Sequence, residues 1–202
     1  MKRKLYKNIR NHIKTGDVIA FSGEGWVSRL IKRKTRSHIS HVGVVFGVTG
    51  DFSNRRILII ESTSLSNIPD KITNEKIKGV QIHFLSHKIQ NYQGKVYLFP
   101  LKQKLKDGQS RLMCDWLGQV HTKKVQYDNF QAVRSSLDFF ENIFKLKFFS
   151  SKRNLNRLFC SELVGEAHKR AGLPIGNPSE LTPKDIISQP YLGNPIQIVN
   201  RV

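Results

Sequence analysis

The chain has 202 residues, enough for one domain with a sizeable core, and 39% apolar with 9% aromatic residues excludes a disordered chain. No run approaches the roughly 18 uninterrupted apolar residues of a membrane span, and two cysteines, Cys114 and Cys160, exclude a disulfide framework. Thirty-four Lys and Arg against 15 Asp and Glu give a net charge of +19, a surface that attracts polyanions such as nucleic acid, anionic lipid or an acidic glycan.

The elements follow in chain order. A short basic helix opens the chain, with Leu5, Ile9 and Ile13 at four-residue spacing. Asp17 to Phe21 reads as a buried strand, and Trp26 to Lys34 as a helix with Val27, Leu30 and Ile31 on one side. Ser40–Val48 and Arg56–Glu61 read as a β-hairpin around the turn-forming stretch TGDFSN. Strands follow near Val80–Leu85 and Lys95–Pro100, then a helix from about Ser110 to His121 with Met113, Trp116, Leu117 and Val120 on one face. Residues 129–149 form an aromatic, helix-like stretch. Arg157–Ala171 is a helix ended by Gly172 and Pro174. Thr182 caps a short helix that begins at Pro183, and Pro195–Val199 returns as an edge strand. Strands and helices in separate groups predict an α+β fold with a mostly antiparallel sheet.

Residues 1–36 hold eleven basic residues and two acidic ones, but no apolar segment follows the basic start as a signal peptide requires. The expected location is the cytoplasm, or a phage or virus particle. An anionic membrane surface is an expected partner. The absence of a helix-turn-helix, zinc-finger or RNA-recognition signature argues against a nucleic-acid partner.

Cys160 stands in RLFCSELVGEAHKRAGL, near the expected start of its helix. There, unpaired N–H groups favour a thiolate and can hold an oxyanion. An inert core cysteine is the other reading of this residue. His41 begins the HVGVVFGV strand, where a sheet would hold an imidazole firmly. Opposed hairpin residues have a constant index sum, and a turn centred near residue 51 sets His41 opposite Glu61, on the same face. Glu61 ends the apolar run RILIIE. It is either a strand-end surface charge or the carboxylate that orients the imidazole, as in a nucleophile–base–orienter triad. Metal binding is not expected: His38 and His41 at a spacing of three fall on opposite strand faces, and His83 and His87 have no acidic or thiol companions. No cofactor motif is present.

The phrases KTGDVIAFSGEGWVSRLIKRKTRSHISHVGVV, FCSELVGEAHKRAGL and LTPKDI resemble the circularly permuted branch of the NlpC-type papain-like cysteine hydrolases. This is the YiiX/YaeF-like group, related to lecithin:retinol acyltransferase. The resemblance covers about residues 14–62 and 155–190, with the histidine strand ahead of the cysteine helix, as in the permuted order. It implies a small barrel-like antiparallel sheet packed against helices, with the nucleophile at a helix N-terminus. It implies Cys160 as nucleophile, His41 as base and Glu61 as the polar third member. Tyr127 and Asp128 resemble a Tyr-Asp pair that lines the substrate pocket. The implied activity is an amidase, peptidase or acyl-lipid hydrolase, or an acyltransferase, working through an acyl-enzyme. Its expected substrates are a peptidoglycan peptide or an acyl lipid. The alternative is an inactive papain-like module that binds anionic lipid or another polyanion.

The whole chain is expected to form one such domain, with an aromatic helical insertion at about 123–156. Residues 129–149 hold six of the twelve phenylalanines. They read either as a core helix or as a lid or interfacial helix beside the site.

Overall fold

The computed structural model describes residues 2–51, 53–63, 65–123 and 152–200. The aromatic stretch 129–149, most of the expected insertion, and the Tyr127–Asp128 pair lie outside the described residues. Six strands form one sheet: β1 (Val18–Gly23), β2 (His41–Thr49), β3 (Arg56–Thr63), β4 (Gly79–Phe84), β5 (Gly94–Phe99) and β6 (Ile196–Asn200). Their spatial order is β4-β3-β2-β1-β5-β6, and every pairing is antiparallel. The expected α+β class therefore stands in its coarse form, but the sheet is open and not a small barrel: β4 and β6 are its two edges.

Helices lie against both faces, which explains why an open sheet suffices. Val18, Ala20, Val42, Val44 and Ile60 point into one core with Met113 and Leu117 of α4 (Asp107–Thr122) and Leu163, Val164 and Ala167 of α5 (Lys152–Arg170). Ile19, Phe21, Val45, Ile57 and Ile59 point the other way, onto Leu85 and Ile89 of α3 (Leu85–Asn91) and onto Tyr6 of α1 (Lys2–Ile9). With both faces covered, β1 is apolar along most of its length and buried throughout. Among the described residues the other α-helices are α2 (Trp26–Thr35) and the short α6 (Pro183–Ile187), whose Thr182 cap accepts from the Asp185 N–H at 3.3 Å.

The hairpin register departs from the simple count. Val44 pairs with Ile60 and Val45 with Ile59, so one further step sets Gly43 against Glu61. Two features move the count. Thr49 pairs with Arg56, which centres the turn beyond residue 51 and moves the register by three residues, and a bulge between Val45 and Gly47 takes one of them back. The total slip is two residues. Strand side chains alternate with period two, so an even slip leaves His41 and Glu61 on one face.

α5 is fastened to the sheet through its C-terminal half. His168 is fully buried; its Nε2–H donates to the Gly16 carbonyl at 2.9 Å and its Nδ1 accepts from the Tyr191 hydroxyl at 3.0 Å. Burial lowers its pKa to about 4, keeping the ring neutral and able to play both parts. Gly16 itself has φ +92°, and a Cβ there would meet Leu101 and Leu105 at 2.8 Å. The adjacent Asp17 carboxylate accepts from the Leu101 and Lys14 N–H groups, each at 2.8 Å. The Gly-Asp pair is thus the anchor point for the helix that carries Cys160. His168→Phe strands the buried Gly16 carbonyl and takes a partner from the half-buried Tyr191 hydroxyl, and is expected to cost about 2–3 kcal/mol of stability in urea unfolding. A loss below about 0.5 kcal/mol would show that apolar packing alone holds α5.

Candidate active site

His41, first residue of β2, and Glu61, in β3, meet side chain to side chain: His41 Nε2 lies 2.7 Å from Glu61 Oε2. Glu61 has no exposed surface, and the His41 side chain is 20% exposed. Gly43 makes the contact possible. It sits opposite Glu61, and a Cβ there would come within 3.2 Å of the Glu61 Cβ and 3.1 Å of the Ile60 carbonyl oxygen. Without that side chain, the imidazole two residues away can reach across onto the carboxylate. The ring also packs against Phe21, its neighbour on β1, at 5.5 Å between centroids.

Cys160 reaches the same imidazole from the other layer. It is buried to 1% exposure and belongs to the core between the sheet and α4/α5, while His41 and Glu61 lie on the α3 face. The thiol hydrogen-bonds with His41. Nε2 is committed to Glu61, so Nδ1 is the ring nitrogen left for Cys160. Burial works against a charged imidazole, but Cys160 first and Glu61 second outweigh it and raise the His41 pKa to about 9.

One expected feature is corrected. Cys160 is the ninth residue of α5, which starts at Lys152 and not near Arg157. An interior helical N–H faces the carbonyl four residues back, so the helix terminus supplies no spare N–H groups to this thiol. Lys152, Arg153, Leu155 and Arg157 ahead of Cys160 are ready helix formers, and the helix runs through Asn154 and Asn156 although either could have capped a later start.

Three further neighbours carry no local sequence signal that marks them as site residues. Lys88 of α3, itself buried, donates from Nζ to Glu61 Oε1. His83 Nε2 is 3.8 Å from that same oxygen and 2.9 Å from Gln81 Oε1; burial lowers its pKa, so the ring stands neutral. Tyr92, ring to ring with Phe21 at 5.0 Å, bonds the Ser40 hydroxyl, and burial with the nearby Glu61 charge raises its pKa. His83 and His87 fall on different elements, β4 and α3, so they share no helical face. His38 precedes β2 and sets its ring edge-on to Tyr97 at 5.3 Å. Cys114, half-buried on α4, donates to the Phe46 carbonyl at 3.1 Å, and burial raises its pKa. Asp70 and His121 form a separate buried pair at 2.9 Å, in which Asp70 also accepts the N–H groups of Ile72, Thr73 and Ile82 and so pins the β3–β4 loop.

No protein-family model matches the chain, and no curated protein matches it by sequence. In fold it is similar to the crystal structure of the metalloprotein yiiX of Escherichia coli O157:H7, a DUF1105 protein, with a TM-score of 0.52 at 15% identity, over 93% of this chain and 97% of that one. The chain has a YiiX-like fold. The donor set here does not fit a metal. Both oxygens of Glu61 are taken, one by the imidazole and one by the Lys88 ammonium, which occupies the place a cation would need. Among the described residues no group of three or more His, Cys, Asp or Glu is placed to hold an ion. Nor, among them, is any helix long and apolar enough to cross a membrane.

A pH dependence follows from His41. Its folded pKa lies above the ordinary 6.5, at about 9, so the charged ring's contribution to stability is complete below about pH 6.5 and is lost as pH rises through 9. The thermal midpoint should fall between pH 7 and 9.5, and fall less in His41→Gln. The His41 ring resonances should titrate near pH 9 by NMR; titration near 6.5 would contradict the geometry.

Proposed function

We propose that the chain is a papain-like cysteine hydrolase of the circularly permuted NlpC-type branch, formed as one domain over residues 1–202. The observation that carries this reading is His41 held between a buried carboxylate and a thiol. The order of histidine strand before cysteine helix and the YiiX-like fold support it.

In this reading the Cys160 thiolate attacks the carbonyl carbon of an amide or ester, with the thiol proton on His41. The tetrahedral intermediate collapses as His41 gives that proton to the departing nitrogen or oxygen, leaving a thioester on Sγ. His41 then takes a proton from water, or from a second acceptor in a transfer reaction, and the acyl group leaves as acid or new ester or amide. Glu61 holds the ring and stabilises its charged form throughout. With no helix terminus at the thiol, activation of the nucleophile falls to His41. Cys160→Ala should abolish turnover without changing the fold, and Cys114→Ala should change neither. At pH 7, iodoacetamide should label Cys160 faster than Cys114, and His41→Ala should slow Cys160 at least tenfold. Equal labelling rates with and without His41 would favour the inactive, lipid-binding module instead.

Of the expected substrate classes, an acyl lipid at an anionic surface is favoured by α2. Trp26 and Leu30, one turn apart on this helix, are 53% and 55% exposed. Arg29 and Arg33 are exposed beside them, and the helix sequence WVSRLIKRKT contains no acidic residue. An exposed apolar pair within a basic helix suits an interfacial site on anionic lipid. The helix lies next to the site: a Cβ on Gly23 would touch Ser28 of α2 at 2.6 Å and the Tyr92 hydroxyl at 2.9 Å. Trp26→Ser/Leu30→Ser should reduce co-sedimentation with phosphatidylcholine–phosphatidylserine vesicles at least fivefold at 150 mM salt, relative to the unchanged chain. Equal binding would remove α2 as the docking face.

A further inference from the structure

We propose that Lys88 is a positioning residue of this same site: it cancels the charge of Glu61, so that a carboxylate orients His41 as a neutral amide would. The inference rests on the assignment of Cys160 and His41 given above and deepens it.

The argument begins with charge. An ionised thiolate–imidazolium pair is neutral as a whole. A neutral hydrogen-bonding third member leaves it neutral. A carboxylate adds a negative charge at 2.7 Å from the ring and raises the ring's proton affinity. Glu61 is such a carboxylate and has no contact with solvent to screen it. Lys88 meets its other oxygen, on the side away from His41, and is itself buried. The set Cys160, His41, Glu61 and Lys88 then sums to zero when all four are ionised.

Of the groups around that set, Asp70 and Glu24 carry charge, and neither is among the groups that act on His41. On β4, Gln81 is an amide and His83 is held neutral by burial. Asp70, whose charge reaches His83, is engaged with His121. From β1, Phe21 faces the Lys88 ammonium at 5.8 Å, and from α3 Leu85 and Ile89 are apolar. Tyr92 keeps its proton, and Glu24 acts on it from the surface. Lys88 is held to one rotamer by the carboxylate on one side and the Phe21 ring on the other, so its charge is fixed in place.

The test is the pH profile of Cys160 alkylation by iodoacetamide in four proteins: wild type, Lys88→Met, Glu61→Gln and the double variant, with the His41 NMR titration beside it. Lys88→Met leaves an uncancelled carboxylate, so both the alkylation midpoint and the His41 titration should move up, by about one pH unit or more. Glu61→Gln leaves an uncancelled ammonium and should move both down. The double variant should return both to within about half a unit of wild type. A purely structural role for Lys88 gives no opposite-signed pair and no restoration. Shifts of the same sign, or no shift in Lys88→Met, overturn the proposal. If either single variant fails to fold, the double variant decides alone: a wild-type profile supports charge cancellation, and a displaced one overturns it. Failure of the underlying assignment looks different, since His41→Ala would then leave Cys160 alkylation unchanged.

Discussion

A carboxylate with no exposed surface costs several kcal/mol unless its charge is met by hydrogen bonds and opposite charge. Glu61 is that carboxylate, and much of the molecule around it can be read as what its burial requires. One oxygen needs His41, which needs Gly43 between them in the register so that the ring can cross to the neighbouring strand. The other oxygen needs Lys88, which needs α3 to fold back on the sheet directly after β4. The two demands come from opposite sides of one side chain and are met by elements 20 and 27 residues away in sequence. Removing either partner leaves a buried charge half-compensated, so the pairs stabilise the fold only together.

Cys160 depends on a second, independent set of contacts. Its helix belongs to the layer on the other face of the sheet, and the meeting of thiol and imidazole depends on how that layer is seated. His168, two turns further along α5, ties the helix to Gly16, just ahead of β1, and β1 pairs directly with the start of β2 at Phe21 and His41. The anchor and the site are therefore joined by one strand pair. This accounts for the Gly-Asp motif without giving it a chemical role: the glycine permits the turn and the close packing of Leu101 and Leu105, and the aspartate gathers the N–H groups around it.

Much of the architecture was legible in the sequence because periodicity reports burial directly. The strands around Val44, Ile59, Ile82 and Val96, the face of α4 and the Thr182 cap were all marked by local pattern. The His41–Glu61 pairing was legible for a less secure reason. The register was two residues off, and period-two alternation forgives an even error. What local pattern could not show was tertiary. Lys88 in LSHKIQN looks like any exposed lysine until α3 lies on the α3-facing side of β3. Likewise His83 reads as an ordinary strand histidine until the sheet brings it beside Glu61. The start of α5 was misplaced because its upstream residues lack an apolar stripe, the signal from which a boundary is read, although they are good helix formers. The closed sheet came from the resemblance and not from the residues, and helices on both faces make closure unnecessary.

The charge of this protein works on two scales that need not interact. Outside, in a chain of net charge +19, basic side chains such as Arg29, Arg33, Lys76 and Lys78 are exposed, where a Debye length of about 8 Å at physiological salt screens one region from another. Inside, the Glu61 cluster balances its own charges at contact distance and away from water, where salt screens little. The site can therefore hold a set protonation state while the surface responds to salt, lipid composition or a polyanionic partner. An uncancelled carboxylate would couple the two scales, because a buried net charge feels the field of every surface lysine. A balanced cluster presents only a dipole, whose interaction with that distant field falls off faster with distance. On the proposed cancellation, charge balance at Glu61 lets so basic a chain keep a titration of its own at His41.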